Sequence, residues 1–253
     1  MPEKLILVTN DDGITAKGIA ALVQVAAPFG RVVVVAPDKP QSAMGHAMTI
    51  SQPLRLVRTD IFGDIEAYTC SGTPVDCVKL AIDKVLHRKP DLCLSGINHG
   101  SNAAINVIYS GTMSAAMEAS LDRIPAIGFS SLDYKHDADM SVAAHYAQQI
   151  ICSALEKGLP SYNLLNVNIP KLPADQIKGI KMCRQAAAKW VENYDERIDP
   201  QGRKYYWLTG EFIAEENSEE TDLWALDNGY VSVVPVQHDL TAYDDLAFLR
   251  QNW

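Results

Sequence analysis

The chain has 253 residues, of which 47% are hydrophobic, and its formal net charge is −9. This length suits one large α/β domain, or one such domain with a smaller appendage, and it lets roughly 70–75% of the unfolded chain's surface be buried. Lys and Arg are scattered along the sequence, which argues against a nucleic acid duplex as a partner, since phosphate backbones require clustered cations.

Two further classes of protein are disfavoured by the sequence. No apolar run approaches the roughly 20 residues that span a bilayer, and the first residues lack the apolar stretch of a signal peptide. The five cysteines are odd in number and contain no CxxC pair, which argues against a disulfide framework and against a zinc site. We therefore expect a cytoplasmic protein with no membrane contact.

The first elements predict parallel strands linked by a helix. Residues 5–8 and 31–36 are continuous apolar runs, as expected of strands covered on both faces, and residues 16–28 between them have helical spacing. A short connection of this kind implies a right-handed βαβ unit. Residues 48–58 alternate and predict an edge strand, and residues 65–69 predict another strand.

A helix is predicted to begin after Thr73. This residue suits the N-cap, Pro74 suits the first helical position, and Asp76 suits the positive end of the helix dipole. The following predicted elements are a strand at 91–95, a helix at 112–122, a strand at 124–129, a helix at 138–157 and a strand at 164–169. This order predicts a Rossmann-like three-layer α/β/α core with a mainly parallel sheet.

The pattern changes after about residue 170. Residues 184–235 are rich in Trp, Tyr and acidic residues and carry turn signals at 199–202 and 227–229. We interpret this segment as one or two β-hairpins that project from the core, followed by a final helix at 241–252. The predicted division is a catalytic core of residues 1–183, completed by a strand near 229–236, and a hairpin extension with a C-terminal oligomerisation arm at 184–253.

Three polar clusters each follow a predicted parallel strand. Ligands of open α/β sheets bind outside the carboxyl ends of the strands, at the point where the strand order reverses. The sequence therefore predicts that all three clusters face one crevice. They are residues 9–13 (TNDDG), 37–46 (PDKPQSAMGH) and 96–102 (GINHGSN).

The adjacent carboxylates Asp11 and Asp12 are the strongest candidates for a metal site. At a strand end that enters a glycine turn, both side chains can point into one site, and a divalent cation would relieve their mutual repulsion. Ser42 and Asn98 offer neutral oxygens from the neighbouring clusters. Such a set of oxygens suits Mg²⁺, Mn²⁺ or Ca²⁺ better than Zn²⁺. The alternative is an ordinary Asp-Asp-Gly turn.

Ser110 is positioned to cap the helix at 112–122. Free N–H groups at Gly111, Thr112 and Met113 would then form a seat for an anion such as phosphate. The alternative is a plain N-cap without a ligand. His46 and His99 lie in the polar clusters, where either could be a general acid or base near neutral pH. The alternative for each is a solvated or structural side chain.

Four motifs occur in order along the sequence: Asn10-Asp11-Asp12-Gly13, Ser42 with Gly45-His46, Ser95-Gly96-Ile97-Asn98 and Tyr109-Ser110-Gly111-Thr112. Together they resemble the SurE family, the survival-protein phosphatases that act on nucleoside monophosphates.

The resemblance implies a 5′-nucleotidase-like activity, with some cleavage of 3′-nucleotides and short polyphosphate. It implies one divalent cation per subunit, Mg²⁺ or Mn²⁺, and a homodimer or homotetramer in which the hairpin and C-terminal segments are exchanged. The assigned metal ligands are Asp11, Asp12, Ser42 and Asn98. The assigned substrate and phosphate ligands are Asn98, Ser110, Gly111, Thr112 and Gly45, and the assigned catalytic residues are Asp11, Asp12, Asn10 and His46.

Two departures from the family pattern leave the preferred base and sugar open. Residues 102–106 read NAAIN where the family usually carries glycine and aspartate, and Glu118 is followed by Ala119-Ser120 where glycine commonly follows the glutamate.

The expected reaction is attack of water on phosphorus with the help of one metal ion. An aspartyl-phosphate intermediate is the alternative route, although the D-x-D arrangement typical of it is absent. A dinucleotide-binding oxidoreductase is disfavoured because the loop after the first strand lacks G-x-G-x-x-G. A non-catalytic sensor of metal or nucleotide would use the same residues, so the sequence leaves it open.

Overall fold

The computed structural model describes residues 3–135, 137–160 and 163–253. Within them, helices cover both faces of a nine-stranded sheet, and a two-stranded hairpin stands apart from it. The strands are β1 Leu5–Thr9, β2 Arg31–Pro37, β3 Leu56–Thr59, β4 Glu66–Cys70, β5 Leu92–His99, β6 Ala126–Ser131, β7 Leu164–Ile169, β8 Ile180–Met182, β9 Ala188–Ile198, β10 Lys204–Ala214 and β11 Val231–Pro235. The α-helices are α1 Lys17–Ala26, α2 Pro74–Leu80, α3 Gly111–Leu121, α4 Ser141–Lys157, α5 Asp222–Asp227 and α6 Tyr243–Asn252.

The large sheet has the strand order β3-β4-β2-β1-β5-β6-β7-β11-β8. Within the run β4-β2-β1-β5-β6-β7, all adjacent strands are parallel to one another. β3 is antiparallel to β4, and β11 is antiparallel to β7. The predicted α/β class with a mainly parallel sheet is confirmed. The strand order reverses at β1, where the chain moves outward first through β2 and later through β5.

Two hydrophobic clusters, one on each face of the sheet, explain why the strands are continuous apolar runs. Side chains of β1 alternate between them, with Ile6 and Val8 in one cluster and Leu5 and Leu7 in the other. Residues of α1 and α4 belong to the first cluster, and residues of α2 and α3 belong to the second. The three-layer α/β/α arrangement is therefore confirmed.

The start of α2 is confirmed in detail. Thr73 is the N-cap, and its hydroxyl accepts from the backbone N–H of Asp76 at 3.2 Å, while the Asp76 carboxylate accepts from the backbone N–H of Thr73 at 2.9 Å. The edge strand predicted at 48–58 is too long, because only Leu56–Thr59 pairs with β4. The Thr49 N–H donates to the Asp76 carboxylate instead of a strand partner.

The C-terminal segment contains one β-hairpin rather than two. β9 and β10 pair in register on either side of the predicted turn at 199–202. The turn signal at 227–229 instead ends the short helix α5 and leads into β11, which lies between β7 and β8 in the large sheet. In the described part of the chain, no helix is both long and apolar enough to span a membrane.

Candidate functional site

The turn after β1 places Asp11 at the carboxyl edge of the sheet. The Asn10 side-chain amide donates to the Gly13 carbonyl at 2.8 Å, and Gly13 has a φ of +91°, which glycine adopts without strain. The Ile14 N–H then donates to the Pro37 carbonyl at 2.9 Å, so the turn is tied to the end of β2. Asp11 is buried, with only 6% of its surface exposed.

The N-terminus of α3 lies directly against Asp11. The Thr112 hydroxyl donates a hydrogen bond to the Asp11 carboxylate. A Cβ added to Gly111 would lie 2.7 Å from Asp11 Cβ and 2.8 Å from Asp11 Oδ2, so only glycine fits there. Ser110 caps the helix as predicted, accepting from the Met113 N–H at 3.0 Å. The prediction of a free amide at Met113 is therefore wrong, and the predicted anion seat retains only the amides of Gly111 and Thr112.

The β1 turn and the N-terminus of α3 together form a corner of the sheet around Asp11. The electrostatics of the Asp11 carboxylate indicate what this corner requires. Burial raises the pKa of Asp11, and the hydrogen bond from Thr112 opposes this effect, while the charge of Asp12 raises the pKa further, to about 6. An ionised Asp11 beside Asp12 is therefore costly in the folded protein. A bound cation would lower this cost, because opposite charge favours the ionised form of a carboxyl group.

The loop of residues 38–46, which we call the Ser42 loop, lies across this corner. The Gln41 N–H donates to the Asp11 carbonyl at 2.8 Å, and the Gly45 N–H donates to the Tyr109 carbonyl at 3.2 Å. Gly45 has a φ of +53°, a backbone conformation that favours glycine. Ser42 is exposed and directly follows the residue that is bonded to Asp11. The loop thereby connects the β1 turn to the residues that precede α3.

The last predicted cluster lies partly within β5 rather than in a loop. The pairing of β5 with β6 shifts between Ser95 and Asn98, and Asn98 then pairs with Ser130. The Asn98 amide nitrogen donates to the Gly100 carbonyl at 2.9 Å. The side-chain oxygen of Asn98 is then the atom that would bind a ligand. The His99 N–H donates to Asp12 Oδ2 at 3.3 Å, so this strand end is joined to the β1 turn.

These contacts join the three segments that carry the four predicted metal ligands. Asp11 and Asp12 come from the β1 turn, while Ser42 and Asn98 come from the two segments bonded to that turn. All four offer oxygen, the ligand that Mg²⁺ and Mn²⁺ prefer. Among the described residues no group of three or more His, Cys, Asp and Glu side chains is able to hold a metal.

A buried polar atom at the same corner also fits a bound polar ligand. The Asn10 side-chain oxygen is buried and accepts no hydrogen bond, although the amide nitrogen of the same side chain is bonded. Buried polar atoms of this kind are rare in folded proteins and call for an explanation. The residues present therefore fit a divalent cation, a phosphate group, or both.

His46 is held by a carboxylate that sequence reasoning missed. His46 Nε2 lies 2.7 Å from Glu118 Oε2, and Lys79 Nζ lies 2.7 Å from Glu118 Oε1. The hydrogen bond with His46 lowers the pKa of the buried Glu118, and Lys79 lowers it as well. A signal was present in the sequence, because Glu118 is two turns beyond Gly111 on α3 and therefore on nearly the same face. His99, by contrast, contacts Asp12 through its backbone N–H.

The fold and the site together define an α/β enzyme with paired carboxylates at the carboxyl edge of a parallel sheet. The profile of the family described as "Survival protein SurE" matches residues 6–192. The chain belongs to the SurE family, which confirms the resemblance seen in its motifs.

Similar proteins cover nearly the whole chain. A protein of Flavobacterium psychrophilum named 5′-nucleotidase SurE is 58% identical over 254 residues, covering 100% of this chain and 98% of its own. A protein of the same name from Flavobacterium johnsoniae is 60% identical over 247 residues, covering 97% and 95%. The crystal structure of the SurE protein from Aquifex aeolicus is 40% identical, superposes with a TM-score of 0.84 and covers 98% of both chains.

Proposed function

We propose that this chain is a metal-dependent phosphatase that hydrolyses nucleoside 5′-monophosphates. The observation that carries the proposal is the buried Asp11 carboxylate, which lies beside Asp12 and against the N-terminus of α3. The names of the relatives from both Flavobacterium species support the same activity. Cleavage of 3′-nucleotides and short polyphosphate belongs to the proposal, and a panel of these substrates tests it.

One divalent cation, Mg²⁺ or Mn²⁺, would be held by Asp11, Asp12, Ser42 and Asn98. When bound, it would polarise a phosphoryl oxygen and acidify a water molecule. Either aspartate could then accept a proton from the attacking water. The amides of Gly111 and Thr112, at the positive end of α3, would stabilise the phosphoryl oxygens together with Gly45. These residues bind and orient the phosphate.

His46 would donate the proton to the leaving nucleoside oxygen. Glu118 faces Nε2, so Nδ1 is the ring nitrogen that remains for the substrate. The ion pair of Glu118 with Lys79 holds the carboxylate in place behind the ring. Asn10 would act through the turn, because its amide fixes the Gly13 carbonyl and with it the direction of the two carboxylates.

Phosphate release from AMP tests the proposed function. We expect turnover with Mn²⁺ or Mg²⁺, its loss in EDTA, and its recovery when the metal is restored. Binding of AMP that depends on metal without any turnover would instead favour the sensor. Trapping of a phospho-enzyme in a single turnover would favour the aspartyl-phosphate route over direct attack by water.

His46→Gln is expected to lower kcat for AMP by about 10²–10⁴, the usual contribution of a general acid. The loss should be far smaller with 4-nitrophenyl phosphate, because its leaving group departs without being protonated. His145→Gln, on the exposed face of α4, is the matched control and should leave both rates unchanged. Equal losses on the two substrates would show that His46 acts on the fold of the Ser42 loop and not as the acid.

We propose further that the chain forms a homodimer or homotetramer through residues 184–253, with residues 1–183 and β11 as the catalytic core. Large apolar side chains on the hairpin and on α6 are exposed, and α6 buries none of its residues. These side chains include Tyr194, Trp207 and Phe248, and Trp253 directly after α6 is exposed as well. Light scattering on the full chain and on a chain ending before α6 measures this assembly. Cytoplasmic location stays a prediction.

A further inference from the structure

The ring of Tyr134, on the loop after β6, is both exposed and held in place. The residue is 72% exposed. A Cβ added to Gly100 would lie 2.7 Å from Tyr134 Cε1 and 3.0 Å from Cδ1, so the ring lies directly on the Gly100 backbone. The Tyr134 hydroxyl accepts from the Ser101 N–H at 3.3 Å. The Cδ1–Cε1 edge of the ring therefore lies against Gly100, and most of the ring surface stays exposed.

The turn that carries this ring is anchored to the sheet. The Leu132 N–H donates to the Ile169 carbonyl at 2.9 Å, at the end of β7. Asp133 Oδ1 pairs with Lys171 Nζ at 2.9 Å and accepts from the Lys135 N–H at 3.1 Å. An anchored aromatic ring loses little conformational freedom when a ligand covers it, which favours binding.

The ring lies next to the corner that would hold the metal and the phosphate. The Gly100 carbonyl accepts from the Asn98 amide, and the Gly100 N–H donates to the Ser131 carbonyl at 2.8 Å. Gly100 is two residues beyond Asn98, a span of at most about 7 Å in extended chain. A nucleoside monophosphate has a sugar of comparable size between its phosphate and its base. A phosphate at Asn98 would therefore bring the base within reach of the ring.

We propose that Tyr134 is the platform on which the nucleobase of the substrate stacks. The proposal rests on the proposed function and adds to it the residue that selects nucleotides over other phosphomonoesters. Every base has a flat π-face, so stacking on an aromatic ring is tolerant of base identity. Purines offer the larger face and are bound more tightly than pyrimidines at this position.

Kinetics with and without a base on the substrate test the platform. Tyr134→Ala raises KM for AMP about 5- to 100-fold, the loss expected for one stacked base, and changes kcat less than about twofold. Tyr134→Phe keeps the ring and stays near the wild-type KM. For ribose 5-phosphate, measured as substrate or as competitive inhibitor of AMP hydrolysis, the Ala variant equals the wild type. Lys135→Ala, in the same turn, is the control for disturbance of the loop.

Each contrary outcome identifies what is wrong. A wild-type protein that releases no phosphate from AMP overturns the proposed function. A wild-type protein that is active, with Tyr134→Ala affecting AMP and ribose 5-phosphate equally or affecting neither, overturns the platform alone. A change in molecular mass of Tyr134→Ala by light scattering also overturns it, because the ring would then belong to a contact between copies of the chain. Calorimetry with adenosine should show weaker binding to the Ala variant than to Phe.

Discussion

Asp11→Asn is expected to lower kcat/KM for AMP at least about a thousand-fold, equivalent to about 4 kcal/mol of transition-state stabilisation. The amide keeps the shape of the side chain and an oxygen for the Thr112 hydroxyl. It removes the charge that would hold the cation at the buried corner. Steady-state kinetics with Mn²⁺ and titration calorimetry with Mn²⁺ measure the two losses.

The control for this substitution is Asp64→Asn, which changes the same side chain at an exposed position. It should leave both kinetics and Mn²⁺ binding unchanged. An Asp11→Asn protein within tenfold of wild-type activity would contradict the role given to this carboxylate.

Asp11→Asn is also expected to stabilise the metal-free protein. The folded-state pKa of Asp11 is raised from 3.8 to about 6, so the folded protein binds a proton more tightly than the unfolded chain does. The stability this contributes is present below pH 4, and it is lost as the pH rises through 6. Asparagine removes that pH dependence and raises the free energy of unfolding by about 1–3 kcal/mol at pH 7.5. Urea unfolding in EDTA at pH 4.5, 5.5 and 7.5 should show that the stability difference between Asp11→Asn and the wild type increases with pH. A difference that decreases with pH would contradict the assigned environment of Asp11.

Gly18→Ala is expected to destabilise the fold by more than about 3 kcal/mol. A Cβ at Gly18 would lie 1.9 Å from the Ile97 carbonyl oxygen and 2.9 Å from its carbonyl carbon. Both are backbone atoms, so α1 would have to move away from β5, and overpacking of this kind is costly. Because Ile97 lies within the irregular pairing that precedes Asn98, activity should fall as well. Thermal unfolding should show a Tm lower by at least about 6 °C.

Gly63→Ala separates the clash from the loss of glycine's backbone freedom. Gly63 has a φ of +64° and no atom within 4 Å of an added Cβ. The free energy of unfolding of this variant should fall only by roughly 1–2 kcal/mol, the cost of placing a non-glycine residue in the left-handed region. Equal stability of the two variants would mean that α1 and β5 are not packed this closely.

Parts of the site could be predicted from the sequence because they depend on neighbouring residues. The cap of α3 by Ser110 is an example, since the residue type and its position before the helix suffice. The prediction of a free amide at Met113 was wrong because Ser110, as the predicted cap, already accepts from that N–H. The long edge strand at 48–58 failed because the Asp76 carboxylate, far along the chain, takes the N–H of Thr49.

The sequence by itself determined the fold class, the order of strands and helices along the chain, the family and the candidate ligands. Apolar runs, helical spacing and motifs depend on neighbouring residues. Only the tertiary structure decided that Gly111 and Thr112 lie against Asp11, that Glu118 holds His46, and that Tyr134 lies against Gly100. These contacts join residues far apart in the chain. They depend on the distances set when helices and strands pack, which no local pattern records.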